Sequence, residues 1–431
     1  MTNIPDYLIV GAGCFGASTA WHLKKAHPDA EVLLIDRMPF PDPVAAAHDL
    51  NKIIRAEYAD PMYMKLALEA MEAWRGDRVL RPFFHQTGVL WSVQGRRGQD
   101  FHEGYESILG PGKAPIELLD VEEARSRFPI LRHCDLEEAS QIVWNDQAGW
   151  GDAAGALKAM IQDAVDLGVR YEVGTVSKVI FDKDEVCTGV SLEDGHAISA
   201  KRVVLCSGAY TPWLLANSAP NSPHLQAGHR MTAAGVLMCR FKIGMGEEEK
   251  FKGAPVMVYA FGEYPAECIP LGSSSEPDLV KCTHEFPYTN KTFHGPSKQE
   301  ISVPPPKMSQ KTWSQDLPDS LKVNSAKVKD VLFKDSIYGM LPESYRLCWD
   351  ASIPDEDWVI SPHPSRNLYI ASGGSFHAWK FIPVVGKLVV QILDDQMSAE
   401  HCRRFAWDRN YTPVVTTYTP RKDLKNVAGF H

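Results

Sequence analysis

The chain has 431 residues, and nowhere do 18 apolar residues run consecutively, so no bilayer-spanning helix is expected. A basic n-region is missing as well: Met1 to Val10 leads straight into a strand-like run, and no secretory leader is expected. Its nine cysteines include no CxxC pair. An odd number of scattered thiols without a leader fits a reducing compartment, and the cytoplasm is the expected location. The last residues, Ala428-Gly429-Phe430-His431, lack a Ser-Lys-Leu type address. No G-x-S-x-G elbow occurs, which removes support for a serine hydrolase. His363 and His377 lack metal-ligand spacing and have no nearby Cys or Asp partner, so no metal is expected. Positive charge is also scarce: 45 Lys and Arg stand against 54 Asp and Glu, a formal net charge of −9. Arg96-Arg97 and Arg403-Arg404 are short pairs, so nucleic acid is not an expected partner.

What remains is a globular composition, 44% hydrophobic and 23% charged. The length exceeds one ordinary domain and suggests two, interleaved along the chain. The clearest local signal comes first. Tyr7-Leu8-Ile9-Val10 is a short apolar strand, followed by Gly11-Ala12-Gly13-Cys14-Phe15-Gly16, a helical run Ala17 to Lys25, and a second strand, Glu31 to Asp36. In such a G-x-G-x-x-G turn the first glycine allows the bend, the second lets the backbone approach a pyrophosphate, and the third permits close helix–strand packing. Asp36, twenty residues past Gly16, is placed to accept from ribose hydroxyls. Strand, turn, helix, strand and acid together point to a dinucleotide. The motif alone does not choose between NAD and FAD.

Further along, Asp60 to Trp74 and Asp152 to Leu167 have helical spacing. Tyr171–Val173, Val176–Phe181, Val186–Leu192 and Val203–Cys206 read as strands, the last ending at Ser207-Gly208-Ala209. Residues 215–335 are rich in Pro and Ser with short strand-like runs, and Pro304-Pro305-Pro306 marks a loop. This stretch reads as a second, mainly sheet domain. From about 335 α/β character returns, with a strand at 367–371, a turn at Ser372-Gly373-Gly374, and a helix over 386–393.

Six separated blocks resemble the flavin-dependent amine oxidases of the sarcosine oxidase group, in particular the fungal branch of saccharopine oxidase and the fructosyl amino acid oxidases (amadoriases). The blocks are 11–16, Asp49-Leu50-Asn51-Lys52-Ile53-Ile54-Arg55-Ala56-Glu57-Tyr58, Ala148-Gly149-Trp150, 281–290, Leu347-Cys348-Trp349-Asp350, and Trp379-Lys380-Phe381. They span nearly the whole chain in order. The resemblance implies an α/β, two-domain fold like that of D-amino acid oxidase. A Rossmann-type FAD domain (1–90, 145–215, 335–395) interleaves with an antiparallel-sheet substrate domain (91–144, 216–334), and 396–431 forms a C-terminal segment. It further implies a monomer, with a small-molecule amine and O2 as partners.

The resemblance also assigns roles. FAD is expected against Gly11, Gly13, Cys14, Phe15, Gly16, Asp36, Arg37, Asn51, Lys52, Val176, Ser207, Gly208, Gly374 and Lys380, with its 8α position joined to Cys348 Sγ. Arg55 and Lys380 match residues that hold a substrate carboxylate; independently, such an anion in a dry pocket needs a fixed cation. Lys281 matches a lysine that activates oxygen, since positive charge stabilises superoxide. It is expected to end a strand, Leu279-Val280-Lys281. Lys52 stands where bacterial relatives carry Arg. Glu285 matches a substrate-contacting Glu, with His284 one residue out of register. Arg409 corresponds to a C-terminal arginine that binds substrate in some fungal members.

Two departures stand out. The flavin loop Val44-Ala45-Ala46-Ala47-His48 lacks the usual Gly and Ser, and Ser375-Phe376-His377-Ala378 replaces a small, Gly-rich run before Lys380. Bulky Phe376, His377 and Trp379 suggest an altered pocket roof. The expected activity is oxidation of a secondary or tertiary amine C–N bond to an imine, with O2 reduced to H2O2. Still open at this point are a biosynthetic oxidase whose iminium cyclises, an NAD-dependent dehydrogenase, and a non-catalytic flavin-binding protein.

Overall fold

The glycine turn is fixed by contact. In the computed structural model, which describes residues 4–244, 247, 251, 253–270, 278–306, 313–334 and 339–430, Gly11 has φ +100°, and a Cβ there would lie 2.5 Å from the Cys206 carbonyl oxygen. A Cβ on Gly16 would fall 1.8 Å from the Gly11 oxygen. Only glycine permits strand Tyr7–Val10 and helix Cys14–Ala26 to approach this closely. Tyr7–Val10 lies between Val32–Asp36 and Arg202–Leu205, and all three are parallel. Arg170–Val173 and Leu368–Ser372 extend the sheet in parallel, and Val359–Pro362 closes one edge antiparallel. Almost every residue of the central strands is buried, as expected of a parallel sheet covered on both faces.

The two ends of the chain meet on this sheet. Helix Cys14–Ala26 packs on helix Val385–Leu393, where a Cβ on Gly386 would strike the Ser18 carbonyl at 2.1 Å. Ser18 Oγ donates to Ile382 O at 2.7 Å and accepts from Gly386 N–H at 2.8 Å. This clasp is what delivers Lys380 to the glycine turn.

The second body is a nine-stranded, mainly antiparallel sheet. Thr232–Lys242 pairs with both Leu279–Thr289 and Leu341–Ser352, and Ala266–Ile269, Val256–Tyr259, Val89–Val93 and Gln141–Asn145 continue the order. Residues 341–352, grouped with the nucleotide segment on sequence, run in this sheet, paired antiparallel along Thr232–Lys242 from Thr232↔Ser352 to Lys242↔Leu341. The expected boundary at 335 itself lies outside the described residues, as does His431. Lys281 does not end a strand; it is the third residue of the eleven-residue strand Leu279–Thr289. Among the described residues five α-helices are additional to the expected elements: Arg97–Leu109, Val121–Arg127, Thr211–Ser218, Asp319–Phe333 and Ala399–Arg404. Among the described residues no helix is long and apolar enough to cross a membrane.

Gly16→Ala is expected to destabilise the protein by about 3 kcal/mol, the upper range for overpacking against fixed backbone. Thermal denaturation of the variant beside wild type checks this.

Candidate active site

The two sheets enclose a cavity of about 780 Å³. At one end are the turn residues Gly11, Gly13, Cys14 and Phe15, then Asp36, Arg37, Val176, Ser207 and Gly208. At the other are Lys52, Arg55, Lys281, Cys348, Gly374 and Lys380. Fifteen of the expected residues, separated by up to 369 positions in sequence, thus face one space. Four do not line it: Gly16 serves helix packing, Asn51 is buried behind the wall, and Glu285 and Arg409 are treated below.

The nucleotide end is built from backbone. Gly13 is the N-cap of Cys14–Ala26, which has no side-chain cap and no acidic residue in its first turn. Its N–H groups and helix dipole are available to an anion. Asp36 accepts from Ala12 N–H at 2.6 Å and Arg37 N–H at 2.7 Å. Burial is the main force raising its pKa.

At the other end, one carboxylate organises the charges. Asp49 is fully buried and accepts from Lys281 Nζ at 2.8 Å and Lys52 Nζ at 3.1 Å. Lys281 also donates to Asn51 O. Burial alone would raise the Asp49 pKa; the pull of Lys281, then Lys52 and Arg346, reverses this and holds it far below the usual carboxylate range. Burial opposes the charge on Lys52 as well, but Asp49 outweighs it and its pKa is raised. Lys281, more deeply buried, is lowered by desolvation despite Asp49. Two cations on one anion leave a local excess of positive charge facing the cavity. Arg346 caps the cluster by donating to His48 O and Ala45 O at 2.7 Å each. The loop 44–48, poor in Gly and Ser, is thus held by an arginine from the opposite sheet. Cys348 lies two residues along the same strand, hence on the same face as Arg346, beside Val236 and Met238.

Arg55 and Lys380 form a second cationic group. Lys380 Nζ donates to Tyr58 Oη at 3.0 Å and His377 O at 2.8 Å. Arg55 donates to Glu57 O and stacks between Trp91 and Tyr58, 4.4 and 4.9 Å from the ring centroids. Among the described residues neither makes an ion pair. Burial, then Arg55, hold the Lys380 pKa well below its ordinary value. His377 has one defined tautomer: Nε2–H donates to Glu356 O at 3.0 Å, so bare Nδ1 accepts from Tyr58 at 3.2 Å. Burial, then Lys380, lower its pKa to about 3. His377 is therefore a neutral support for Tyr58, and Tyr58 for Lys380.

Glu285 sits one layer back. It shares a strand face with Lys281 and Thr283 and accepts from Tyr418 Oη at 2.9 Å; Tyr418 also donates to Glu267 at 3.3 Å. Burial, then the Glu267 charge, push its pKa up to about 8. His284 points to the opposite face, between Tyr264 and Phe286. Arg409 is a correction: its guanidinium makes a two-pronged pair with Asp355 (2.8 Å twice) and donates to three backbone carbonyls, away from the cavity. A near-saturated donor set binds the C-terminal segment to the fold rather than a ligand. Sequence reasoning missed Asp49, Tyr58, Glu267 and Tyr418. Asp49 and Tyr58 lie inside a quoted block; the other two carry no local pattern.

Such an assembly, a glycine turn opening on a cavity roofed by a cation-bearing antiparallel sheet, defines a dinucleotide-dependent oxidoreductase. Comparison with known proteins specifies it. The chain belongs to the FAD dependent oxidoreductase (DAO) family, whose pattern matches residues 6–392. It is 30% identical to L-saccharopine oxidase of Schizosaccharomyces pombe over 423 residues, covering 93% of this chain and 92% of that one. Human peroxisomal sarcosine oxidase is 24% identical, covering 90% and 91%. Among solved structures, fructosyl peptide oxidase from E. terrenum superposes with a TM-score of 0.83 at 26% identity, covering 99% of this chain and 98% of that one. The site fits FAD on its own terms: an uncapped helix N-terminus behind Gly13, where an added Cβ would reach toward the 44–48 loop and lie 3.8 Å from Ala47 Cβ, and Asp36 at the strand end.

Asp49→Asn is expected to cost about 3–5 kcal/mol, because it strands two buried cations. The Asp49 pKa is depressed in the fold, so its contribution is present above the ordinary value of 3.8 and is lost as pH falls below it. The stability gap between wild type and variant should therefore narrow on acidification below about pH 4, as read by melting curves across pH 3–7.

Proposed function

We propose that this protein oxidises the C–N bond of a secondary amine that also carries a carboxylate, an N-substituted amino acid, to an imine with release of H2O2. The observation that carries the reading is the pair of half-buried Arg55 and buried Lys380, which among the described residues make no ion pair, beside a flavin-sized cavity. A substrate carboxylate supplies the missing charge, so binding and protonation of Lys380 reinforce one another. Arg55 gives a planar fork pre-oriented by Trp91 and Tyr58. Tyr58 and His377 O restrain Lys380 and leave its remaining N–H for the ligand. The names of the relatives, which act on saccharopine, sarcosine and fructosyl peptides, agree with this class.

FAD, when bound, supplies the redox chemistry: it takes the electron pair and hydrogen from the carbon next to nitrogen and passes the electrons to dioxygen. Gly11, Gly13 and the helix N-terminus would hold its pyrophosphate, Asp36 its ribose, and Cys348 Sγ would provide a covalent anchor. Lys281, kept cationic by Asp49 while Lys52 adds a second charge, gives a fixed positive site for an oxygen anion at no reorganisation cost. The surrounding apolar wall excludes water and strengthens each of these fields.

Four measurements test the assignment. Purified protein should oxidise N-alkyl amino acids with stoichiometric H2O2; a screen of such amines that yields no peroxide rejects the proposal. Lys380→Met should raise KM about 10–100-fold, the loss of one charge-assisted bond of about 1.5–3 kcal/mol. Lys281→Met should slow flavin reoxidation about 10²–10³-fold while anaerobic reduction by substrate is little changed. In Cys348→Ala, the flavin should separate from the polypeptide on acid precipitation, whereas wild type retains it.

A further inference from the structure

The loop leading to Lys380 passes through two consecutive left-handed residues that are not glycine, Ser375 (φ +45°) and Phe376 (φ +63°). Residues with a Cβ seldom adopt this conformation and hold it only where their surroundings over-determine the backbone. The restraints are visible. Phe376 N–H donates to Asp350 Oδ2 at 2.9 Å, and Ser375 N–H to Ala351 O at 3.0 Å. Both use backbone donors, so glycine at 376 would keep them and relieve the strain. The backbone gains nothing from a phenylalanine at this position; what it adds is the ring.

That ring faces the cavity. It stacks on Tyr418 with centroids 5.6 Å apart and planes 22° off parallel, and packs against Cys348, Val236 and Met238. Tyr418, also on the cavity wall, is braced from behind by its hydrogen bonds to Glu285 and Glu267. The two rings form a fixed partition in the space that holds Arg55 and Lys380. A stacked pair with one member anchored by hydroxyl bonds does not swing aside as a lone side chain does.

We propose that Phe376, backed by Tyr418, is the specificity-determining wall of the amine pocket. It limits the width of the arm that a substrate carries away from its carboxylate and so selects slender, unbranched arms over ring-bearing ones. The inference rests on the carboxylate-amine reading above. Strain is retained at 376 because relief would remove the wall.

The test uses the FAD-loaded protein and two non-reactive carboxylates, methoxyacetate and benzyloxyacetate, with binding read from the flavin absorbance. Wild type is expected to favour methoxyacetate at least tenfold. Phe376→Gly and Phe376→Ala should each lower that preference at least tenfold. Phe376→Gly should melt at or above the wild-type temperature, and above Phe376→Ala, which retains a Cβ in the left-handed region. A preference unchanged within twofold, no preference in wild type, or a Phe376→Gly protein that fails to fold would each overturn the proposal. If neither ligand perturbs the flavin in any of the three proteins, the carboxylate-site reading fails and this inference falls with it.

Discussion

A buried carboxylate bridging two lysines holds the two halves of this protein in register. Asp49 lies just before the short strand Asn51–Ile54, Lys281 comes from the nine-stranded sheet, and Lys52 from Asp49's own segment. None of the three would be tolerable alone at that depth. An unpaired ion in a low-dielectric interior costs several kcal/mol, and the cost is offset only when partners arrive with good geometry. The cluster therefore works as a register device: if the sheet slipped by one residue, Lys281 would turn to the opposite face and leave Asp49 bare. Arg346 extends the device by tying the 44–48 loop to the strand that bears Cys348.

The charge pattern around the cavity follows from unequal pairing. Lys281 and Lys52 share one anion, whereas Arg55 and Lys380 have aromatic and carbonyl neighbours but no anion among the described residues. The first pair is a permanent field, anchored on Asp49 with one positive charge in excess. The second is an incomplete one, held open by neutral supports: the Tyr58 hydroxyl, a His377 ring kept uncharged, and the Trp91 face. Opposite them the Glu285 carboxyl, raised to about 8 beside Glu267, softens what would otherwise be a second anionic centre. Such division gives a single cavity regions suited to different charges.

Much of this organisation was legible in the residues. The βαβ unit at the N-terminus was readable because its turn depends on three local glycines and a twenty-residue spacing, both one-dimensional features. Cys348, Lys281 and Lys380 stood in recognisable blocks. The helix Asp319–Phe333 was not read, since Ser325 interrupts its buried stripe of Leu321, Val328, Leu332 and Phe333, and an exposed Val323 blurs the pattern. Arg409 resembled a ligand-binding residue, yet Asp355, 54 positions earlier, claims its guanidinium; no linear pattern announces that pairing. Glu267 and Tyr418 stayed invisible for the same reason, being joined only through a cross-sheet contact and a folded-back C-terminal segment.

The sequence alone determined the dinucleotide turn, the strands and helix that flank it and the identity of the cationic side chains, because those depend on residue type and short spacing. Tertiary structure decided which cations are neutralised and which remain available, which face of Leu279–Thr289 meets the cavity, and that Phe376 turns its ring onto Tyr418 at the expense of backbone comfort. Charge balance and cavity shape are properties of neighbours in space. For this chain those neighbours lie hundreds of residues apart, brought together by the helix clasp at Ser18 and Gly386 and by the long strands that cross beneath the cavity.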